Sequence, residues 1–197
     1  MKRISFKDSG GLNLTQAVLS GRKTMTRRVV GESMWDKWSN YDDFCLSVSC
    51  DGISASRQYY DCEEFFRDNS PYKVGEVVAI QQAYKDIPTI IVNRSYDYHV
   101  LSKSAGWDNK MFVKAELMPN HIRITGVRVE MLQDISDEDC LREGVVRFTS
   151  GYNFVGNEDT AYLTPSKAFA ALIDKVSGRG TWDSNPIVWC YSFELVD

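Results

Sequence analysis

The sequence predicts a mainly β domain with short helices (α+β), built as a small barrel. Apolar runs typical of strands recur at irregular spacing, and the helical signals between them are few and short. The chain has 197 residues, enough for one well-buried core that carries large insertions. We therefore expect a single domain over residues 1–197, with strands at residues 3–6, 74–80, 111–117, 121–132 and 186–196.

Two short helices are predicted from their capping residues. The first begins at about Asn13 and ends at Gly21, because glycine adopts a left-handed conformation at little cost. The second follows Ser136, a capping residue, with Asp139 at the position of the acidic partner in a capping box. Gly144 is expected to end this helix.

The remaining regular elements lie in the second half of the chain. A third helix begins at Pro165 and has an apolar stripe at positions 168, 169, 172, 173 and 176. A break in the alternation near Gly126 predicts a bulge in the strand at 121–132. The apolar strand at 186–196 is expected to be central in the sheet.

Two stretches without a sustained hydrophobic period, at about 31–72 and 86–110, are predicted to be insertions. Within the first, residues 44–49 and 53–59 flank an Asp51-Gly52 pair, which predicts a hairpin. Its many aromatic residues are expected to pack in a small core of their own rather than to stack on bases.

Composition excludes several classes of protein. The net charge of −4 argues against a protein that coats nucleic acid through bulk electrostatics. No apolar run suits a membrane span and the N-terminus lacks a signal-peptide core, so we expect a soluble cytoplasmic protein without membrane contact. Five scattered cysteines and two histidines predict reduced thiols, no metal site and no cofactor.

A basic segment follows the first predicted helix and is the strongest candidate for a site. Arg22, Lys23, Arg27 and Arg28 lie within seven positions of an acidic protein, so carboxylates, solvent or an anionic ligand must offset their repulsion. If Met25 lies in the core, strand alternation places the hydroxyls of Thr24 and Thr26 on the opposite face, toward a cleft. A solvated basic turn is the alternative.

Four segments in the same order, residues 21–28, 72–77, 132–145 and 185–189, resemble the ASCH family, most closely its phage and prophage members. This resemblance implies a PUA-like β-barrel with a cleft for RNA or a nucleoside. A characterised bacterial member of the family removes the acetyl group from N4-acetylcytidine with a lysine, a threonine and a glutamate. The matching positions in this chain are Lys23, Thr26 and Glu143.

Amide hydrolysis requires a nucleophile, a base and a proton donor to the departing nitrogen. The resemblance implies Lys23 as base or charge stabiliser, Thr26 as nucleophile or water-positioning hydroxyl, and Glu143 as proton shuttle. Burial and like charges would lower the pKa of Lys23. The alternative is structural, an ion pair between Lys23 and Glu143 that ties the first helix to the second.

Other residues are expected to bind the ligand or to mark a departure from the family. Arg22, Thr24, Arg27, Arg28, Arg123 and Trp189 are predicted substrate or nucleic-acid contacts. Gln81 and Gln82 stand where phage relatives often have a charged pair, and Ile187 replaces a tryptophan.

Two further functions remain open from the sequence. One is a non-catalytic RNA-binding module in which Arg27 and Arg28 hold phosphate while Trp189 or Tyr84 stacks on a base. The other is a phage accessory protein whose insertions bind a protein partner.

Overall fold

A five-stranded, mostly antiparallel sheet organises the structure, a computed structural model that describes residues 1–50, 61–88, 98–154 and 160–197, with the backbone alone for 44–50. Its strands take the order β1-β3-β4-β7-β2, and β5 and β6 form a separate hairpin. The strands are β1 (Arg3–Ile4), β2 (Met25–Val29), β3 (Val77–Ile80), β4 (His121–Met131), β5 (Val145–Phe148), β6 (Gly151–Phe154) and β7 (Ile187–Leu195).

The two longest strands, β4 and β7, pair antiparallel in the interior of the sheet. The interior position predicted for the last strand is thus confirmed, since β7 lies between β4 and β2. The predicted bulge is also present, because the register shifts between Ile124 and Gly126. Among the strand pairs of the described residues, β1–β3 alone is parallel.

The two edges of the sheet approach each other without pairing. Arg28 in edge strand β2 donates a hydrogen bond to the carbonyl oxygen of Ser5, which directly follows edge strand β1. Beside this contact the rings of Phe6 and Phe193 lie 5.7 Å apart. The sheet therefore curves, but no backbone pairing joins β1 to β2 among the described residues.

The helices flank the sheet, and side chains cap several of them, including the cap predicted at Ser136. Asn13, Ser136 and Thr164 each accept a hydrogen bond from a backbone N–H of the first turn. The helices are α1 (Leu14–Leu19), α2 (Glu32–Cys50), α3 (Cys62–Asp68), α4 (Tyr98–Ser102), α5 (Asp137–Arg142), α6 (Pro165–Ser177) and α7 (Thr181–Ser184).

The hairpin predicted in the first insertion is wrong in its first half. Residues 44–49 belong to α2 (Glu32–Cys50), a helix of 19 residues. Residues 34, 38, 41, 45 and 48 recur at helical spacing, a period that the turn signal at Asp51-Gly52 obscured. The second half of the hairpin, residues 53–59, lies outside the described residues.

The strand predicted at 111–117 is also wrong, because two 3₁₀ turns, Lys110–Phe112 and Ala115–Leu117, take its place. The Asn109 side chain accepts a hydrogen bond from the Met111 N–H, and the Tyr84 hydroxyl accepts one from the Lys114 N–H. Side chains thereby satisfy backbone groups that a strand would have paired with a neighbour.

The main core lies between the sheet and α6, whose stripe Ala168, Phe169, Leu172 and Ile173 is buried. The aromatic residues of α2 and α3 pack on one another, but they do not form a separate core as expected. Phe66 belongs to the main core, and the rings of Trp35 and Trp38 contact it. A second, smaller apolar cluster lies around Tyr84, Leu101 and Met118.

The helices of the described residues include no segment with both the length and the apolar character needed to cross a membrane.

Candidate functional site

A cavity of about 980 Å³ lies between edge strand β2, the chain that follows β1, and helix α6. Its volume is in the upper range of ligand pockets in proteins. Apolar side chains of α6, including Phe169, Leu172 and Ile173, form one wall. The charged residues of the basic segment contribute to another, so the cavity suits a ligand with an apolar face and polar edges.

The structure brings Lys23 and Glu143 together at this cavity. The Lys23 amine donates hydrogen bonds to the Glu143 carboxylate oxygen Oε2 at 2.6 Å and to the Glu143 carbonyl oxygen at 2.7 Å. Both residues are 3 % exposed. Loss of either partner of such a short and desolvated contact would leave an uncompensated buried charge.

The backbone around the pair explains why residues so distant in sequence meet. Gly21 has a φ of +72°, which ends α1 as predicted and turns the chain toward α5. The Thr24 N–H then donates to the carbonyl oxygen of Arg142, the last residue of α5, at 2.9 Å. Glu143 is the C-cap of α5, so this hydrogen bond fixes Lys23 and Glu143 side by side.

Burial lowers the pKa of the Lys23 amine, although the nearby Glu143 carboxylate opposes the shift. The positive charges of Arg28 and Arg27 add to the lowering. A neutral lysine amine has two hydrogens and one lone pair. In this form the amine can still donate both hydrogens to the two Glu143 oxygens, and its lone pair can accept a proton, as a general base must.

Arg27 holds the other carboxylate oxygen of Glu143. Its Nη1 donates to Oε1 of Glu143 at 3.1 Å, its Nε donates to Glu130 at 2.8 Å, and its Nη2 donates to Asp139 at 3.1 Å. Burial alone would lower the pKa of Arg27, but Glu143, Cys190 and Glu130 raise it. Three carboxylates already balance the charge of the Arg27 guanidinium. This argues against the phosphate contact expected of Arg27 in RNA binding.

Asp139 connects Arg27 to a second arginine. Its carboxylate accepts a hydrogen bond from Arg128 at 2.6 Å, and Arg128 also lies 3.4 Å from Glu130. Although burial opposes it, these hydrogen bonds from Arg128 and Arg27 lower the pKa of Asp139. Hydrogen bonds and ion pairs therefore connect Glu143, through Arg27 and Asp139, to residues of strand β4.

Thr26 lines the same cavity and is 5 % exposed. Met25 is fully buried in the core, as expected, and Thr26 points to the opposite side of β2. Among the described residues, no hydrogen bond joins the Thr26 hydroxyl to Lys23 or Glu143. Residues from both sides of this edge strand line the cavity, so Thr26 and the Lys23–Glu143 pair contact the same cavity.

Arg28 also lines the cavity, and its environment differs from that of Arg27. Its Nη2 donates to the Ser5 carbonyl oxygen, and its guanidinium carbon lies 5.8 Å from the centre of the Phe6 ring. Its Nε is buried and has no hydrogen-bond partner among the described residues. Burial lowers the pKa of Arg28, against the raising effects of Tyr72, Glu143 and Tyr191.

The other four predicted contacts lie outside the cavity lining. Arg22 is exposed and donates to Ser20, and Arg123 forms an exposed ion pair with Glu194. The Thr24 hydroxyl accepts from Arg142 at 3.4 Å, because the turn at Thr24 faces α5 rather than the cavity.

The expected stacking role of Trp189, or of Tyr84, does not fit the structure. Trp189 is 6 % exposed and donates its indole N–H to the carbonyl oxygen of Phe66 at 2.7 Å. Tyr84 is 3 % exposed in the second apolar cluster. Both rings belong to the core, because tryptophan and tyrosine bury well when the polar atom has a partner.

The glutamines that replace the charged pair of phage relatives also lie outside the cavity lining. Gln81 donates to the carbonyl oxygen of Lys110 at 2.9 Å, and Gln82 accepts from Asn120 at 2.8 Å. They bind neighbouring chain segments rather than the site.

No sequence pattern indicated that Glu130 and Arg128 belong to the network. Both lie in β4, and only the pairing of β4 with β7 and of β7 with β2 brings them to Arg27. The sequence pattern indicates Asp139 only as an acid in a capping box. Its N–H does bind the Ser136 hydroxyl, but its carboxylate binds the two arginines.

The same cluster contains potential metal ligands, since donor atoms of Glu130, Asp139 and Cys190 lie within 4.8 Å of one another. Arg27 and Arg128 already supply positive charge to both carboxylates. Burial also raises the pKa of the Cys190 thiol to about 12. This donor set therefore suits the arginine guanidinium groups better than a metal ion, because metal-bound cysteine must be deprotonated.

Comparison with known proteins gives little further information. No protein-family model and no curated protein matches the chain. A solved structure, that of protein EF3133 from Enterococcus faecalis V583 with the family model DUF984, matches over 100% of this chain and 77% of its own length. The two chains are 16% identical and superpose with a TM-score of 0.43, and a similarity at this level assigns neither a family nor a function.

Proposed function

We propose that this protein is an ASCH-type amidohydrolase that removes the acyl group from N4-acetylcytidine or a related modified nucleoside. The supporting observation is the buried contact between Lys23 and Glu143 at the wall of a cavity that Thr26 also lines. The order of four sequence segments supports the family assignment, and the approach of Arg28 to Ser5 suits a PUA-like barrel.

In the proposed reaction, the Thr26 hydroxyl attacks the acyl carbonyl or orients the water that does so. Lys23, in the neutral fraction that its lowered pKa enlarges, accepts the proton released by the nucleophile. Glu143, bound to Lys23 through Oε2, relays a proton to N4 as the bond between N4 and the acyl carbon breaks. Addition of one water overall yields acetate and cytidine, so the active groups return to their starting protonation states.

Arg27 acts as a positioning residue in this mechanism. It holds Oε1 of Glu143 at 3.1 Å and leaves Oε2 for Lys23. A carboxylate fixed at both oxygens loses little orientational freedom during the reaction, which favours proton transfer along one path.

The test is release of acetate and cytidine from N4-acetylcytidine by the purified protein in the presence of a chelator. We expect Thr26→Ala and Lys23→Met to reduce turnover by at least about 100-fold, the usual scale for acid–base groups. Thr24→Ala is the matched control, because its hydroxyl binds Arg142 outside the cavity lining. Full activity of Thr26→Ala or Lys23→Met would exclude the assigned roles.

Non-catalytic RNA binding remains an alternative outcome of this experiment. It predicts no product and an affinity for RNA that decreases with salt. The position of Trp189 in the core and the saturation of Arg27 by carboxylates give it less support than the hydrolase.

A further inference from the structure

The positive charges that line the cavity are balanced locally, with one exception. Among the described residues, six cationic side chains line the cavity. Four of them pair with carboxylates: Lys23 with Glu143, Arg27 with three acids, Lys85 with Asp108 at 2.9 Å, and Lys110 with Asp8 at 2.6 Å. The other two are Lys7 and Arg28.

Lys7 has a different source of compensation. Its amine donates to the carbonyl oxygens of Lys175 and Val176 at 2.8 and 3.0 Å. These carbonyls belong to the last turn of α6, the end of a helix that carries partial negative charge. A lysine at this position needs no further anion.

Arg28 has no carboxylate within ion-pair distance among the described residues. Its one hydrogen-bond acceptor there is the neutral carbonyl oxygen of Ser5, while its Nε has none. A charged group that is largely removed from water and has no counter-ion is unfavourable in the ligand-free protein. The same position makes the group strongly attractive to an anion that enters the cavity.

We propose that Arg28 is the counter-ion for a phosphate monoester, so that the cavity takes a nucleotide rather than a free nucleoside. This assignment rests on the proposed function for the base and on Arg28 for the phosphate. Ser5 and Phe6, which contact Arg28, also line the cavity, so the guanidinium lies at its wall. A terminal phosphate suits this largely buried position better than a phosphodiester, whose chain must leave at both ends.

The spacing within β2 allows one ligand to contact both Thr26 and Arg28. Thr26 and Arg28 are two residues apart on the same side of the strand, which separates their Cα atoms by roughly 7 Å. A cavity of about 980 Å³ accommodates a nucleotide across that distance. The acyl group would lie near Thr26 and the phosphate near Arg28.

The test measures binding by isothermal titration calorimetry with compounds that cannot be deacylated. The probes are cytidine, cytidine 5′-monophosphate, the dinucleotide cytidylyl-cytidine and inorganic phosphate. We expect the monophosphate to bind wild type at least about tenfold more tightly than cytidine, as one charge-assisted contact in a largely buried site should provide. Arg28→Gln should abolish this preference, and Arg22→Gln, the matched exposed arginine, should preserve it.

Each outcome decides a separate point. Equal affinity of wild type for cytidine and its monophosphate overturns the proposal, even if Arg28→Gln does not fold. A preference for the dinucleotide overturns the monoester assignment. An Arg28-dependent preference for the monophosphate in a protein that releases no acetate supports the phosphate site while the hydrolase proposal fails. Absence of binding by any phosphate compound overturns the site.

Discussion

Replacement of Glu143 by glutamine tests the central contact of the candidate site. The substitution keeps the shape of the side chain but removes the negative charge that lies 2.6 Å from the Lys23 amine. Arg27 retains Glu130 and Asp139, so Lys23 is the group that loses its counter-ion. Loss of one partner of a buried ion pair usually reduces the free energy of unfolding by about 3–5 kcal/mol.

Lys23 can reduce this penalty by losing its proton, so the loss of stability in Glu143→Gln depends on pH. The pKa of Lys23 is already lowered by burial, and the two causes that raise it both come from Glu143. In Glu143→Gln the pKa of the folded state falls further below the unfolded value of about 10.4. Between these two pKa values the unfolded state binds more protons, so the stability of the variant rises with pH.

The expected size follows from the proton difference. One proton corresponds to about 1.4 kcal/mol per pH unit, so the deficit relative to wild type should shrink by up to about 2.7 kcal/mol between pH 7 and pH 9. Urea unfolding at both pH values measures it. Glu194→Gln is the control, because its pair with Arg123 is about half exposed and should contribute at most about 1 kcal/mol.

A constant deficit across this pH range, or a deficit below about 1 kcal/mol at pH 7, would refute the reasoning. The first result would mean that Lys23 does not change its protonation state. The second would mean that water reaches the pair and replaces the lost interaction.

Three further predictions concern the surroundings of the site. Arg27→Met should lower the free energy of unfolding by about 3–5 kcal/mol at pH 7, because Glu130, Asp139 and Glu143 each lose a buried cationic partner; urea unfolding measures this. Ser136→Ala should lower it by about 1 kcal/mol through loss of the cap on α5. Gly21→Ala should also destabilise, by roughly 1 kcal/mol, because φ is +72° there; thermal unfolding measures this.

The elements that the sequence predicted well have local causes. The cap at Ser136 and the end of α1 at Gly21 depend on residues within one turn of the helix boundary. The bulge near Gly126 likewise follows from a break in alternation within one strand. Such signals can be interpreted without knowledge of the rest of the chain.

The elements that were missed depend on partners distant in sequence. Residues 111–117 have strand-like alternation, but the Tyr84 hydroxyl binds the Lys114 N–H and stabilises a different backbone path. Trp189 was expected to stack on a base, but it is buried and donates its indole N–H to the carbonyl oxygen of Phe66, 123 positions away. Arg27 was expected to contact phosphate. Its acidic partners were not foreseen, because they come from β4, α5 and the α5 C-cap, all distant in sequence.

The structural alternative, an ion pair that only ties α1 to α5, has a consequence that separates it from the catalytic one. Buried ion pairs are often replaceable by apolar residues without loss of stability. The turn is also held by the backbone hydrogen bond from Thr24 to Arg142, which does not need Lys23 or Glu143. If the double variant Lys23→Met/Glu143→Leu unfolds at no lower urea concentration than wild type, the pair is not required for the fold, and its place at a cavity wall then calls for a chemical role.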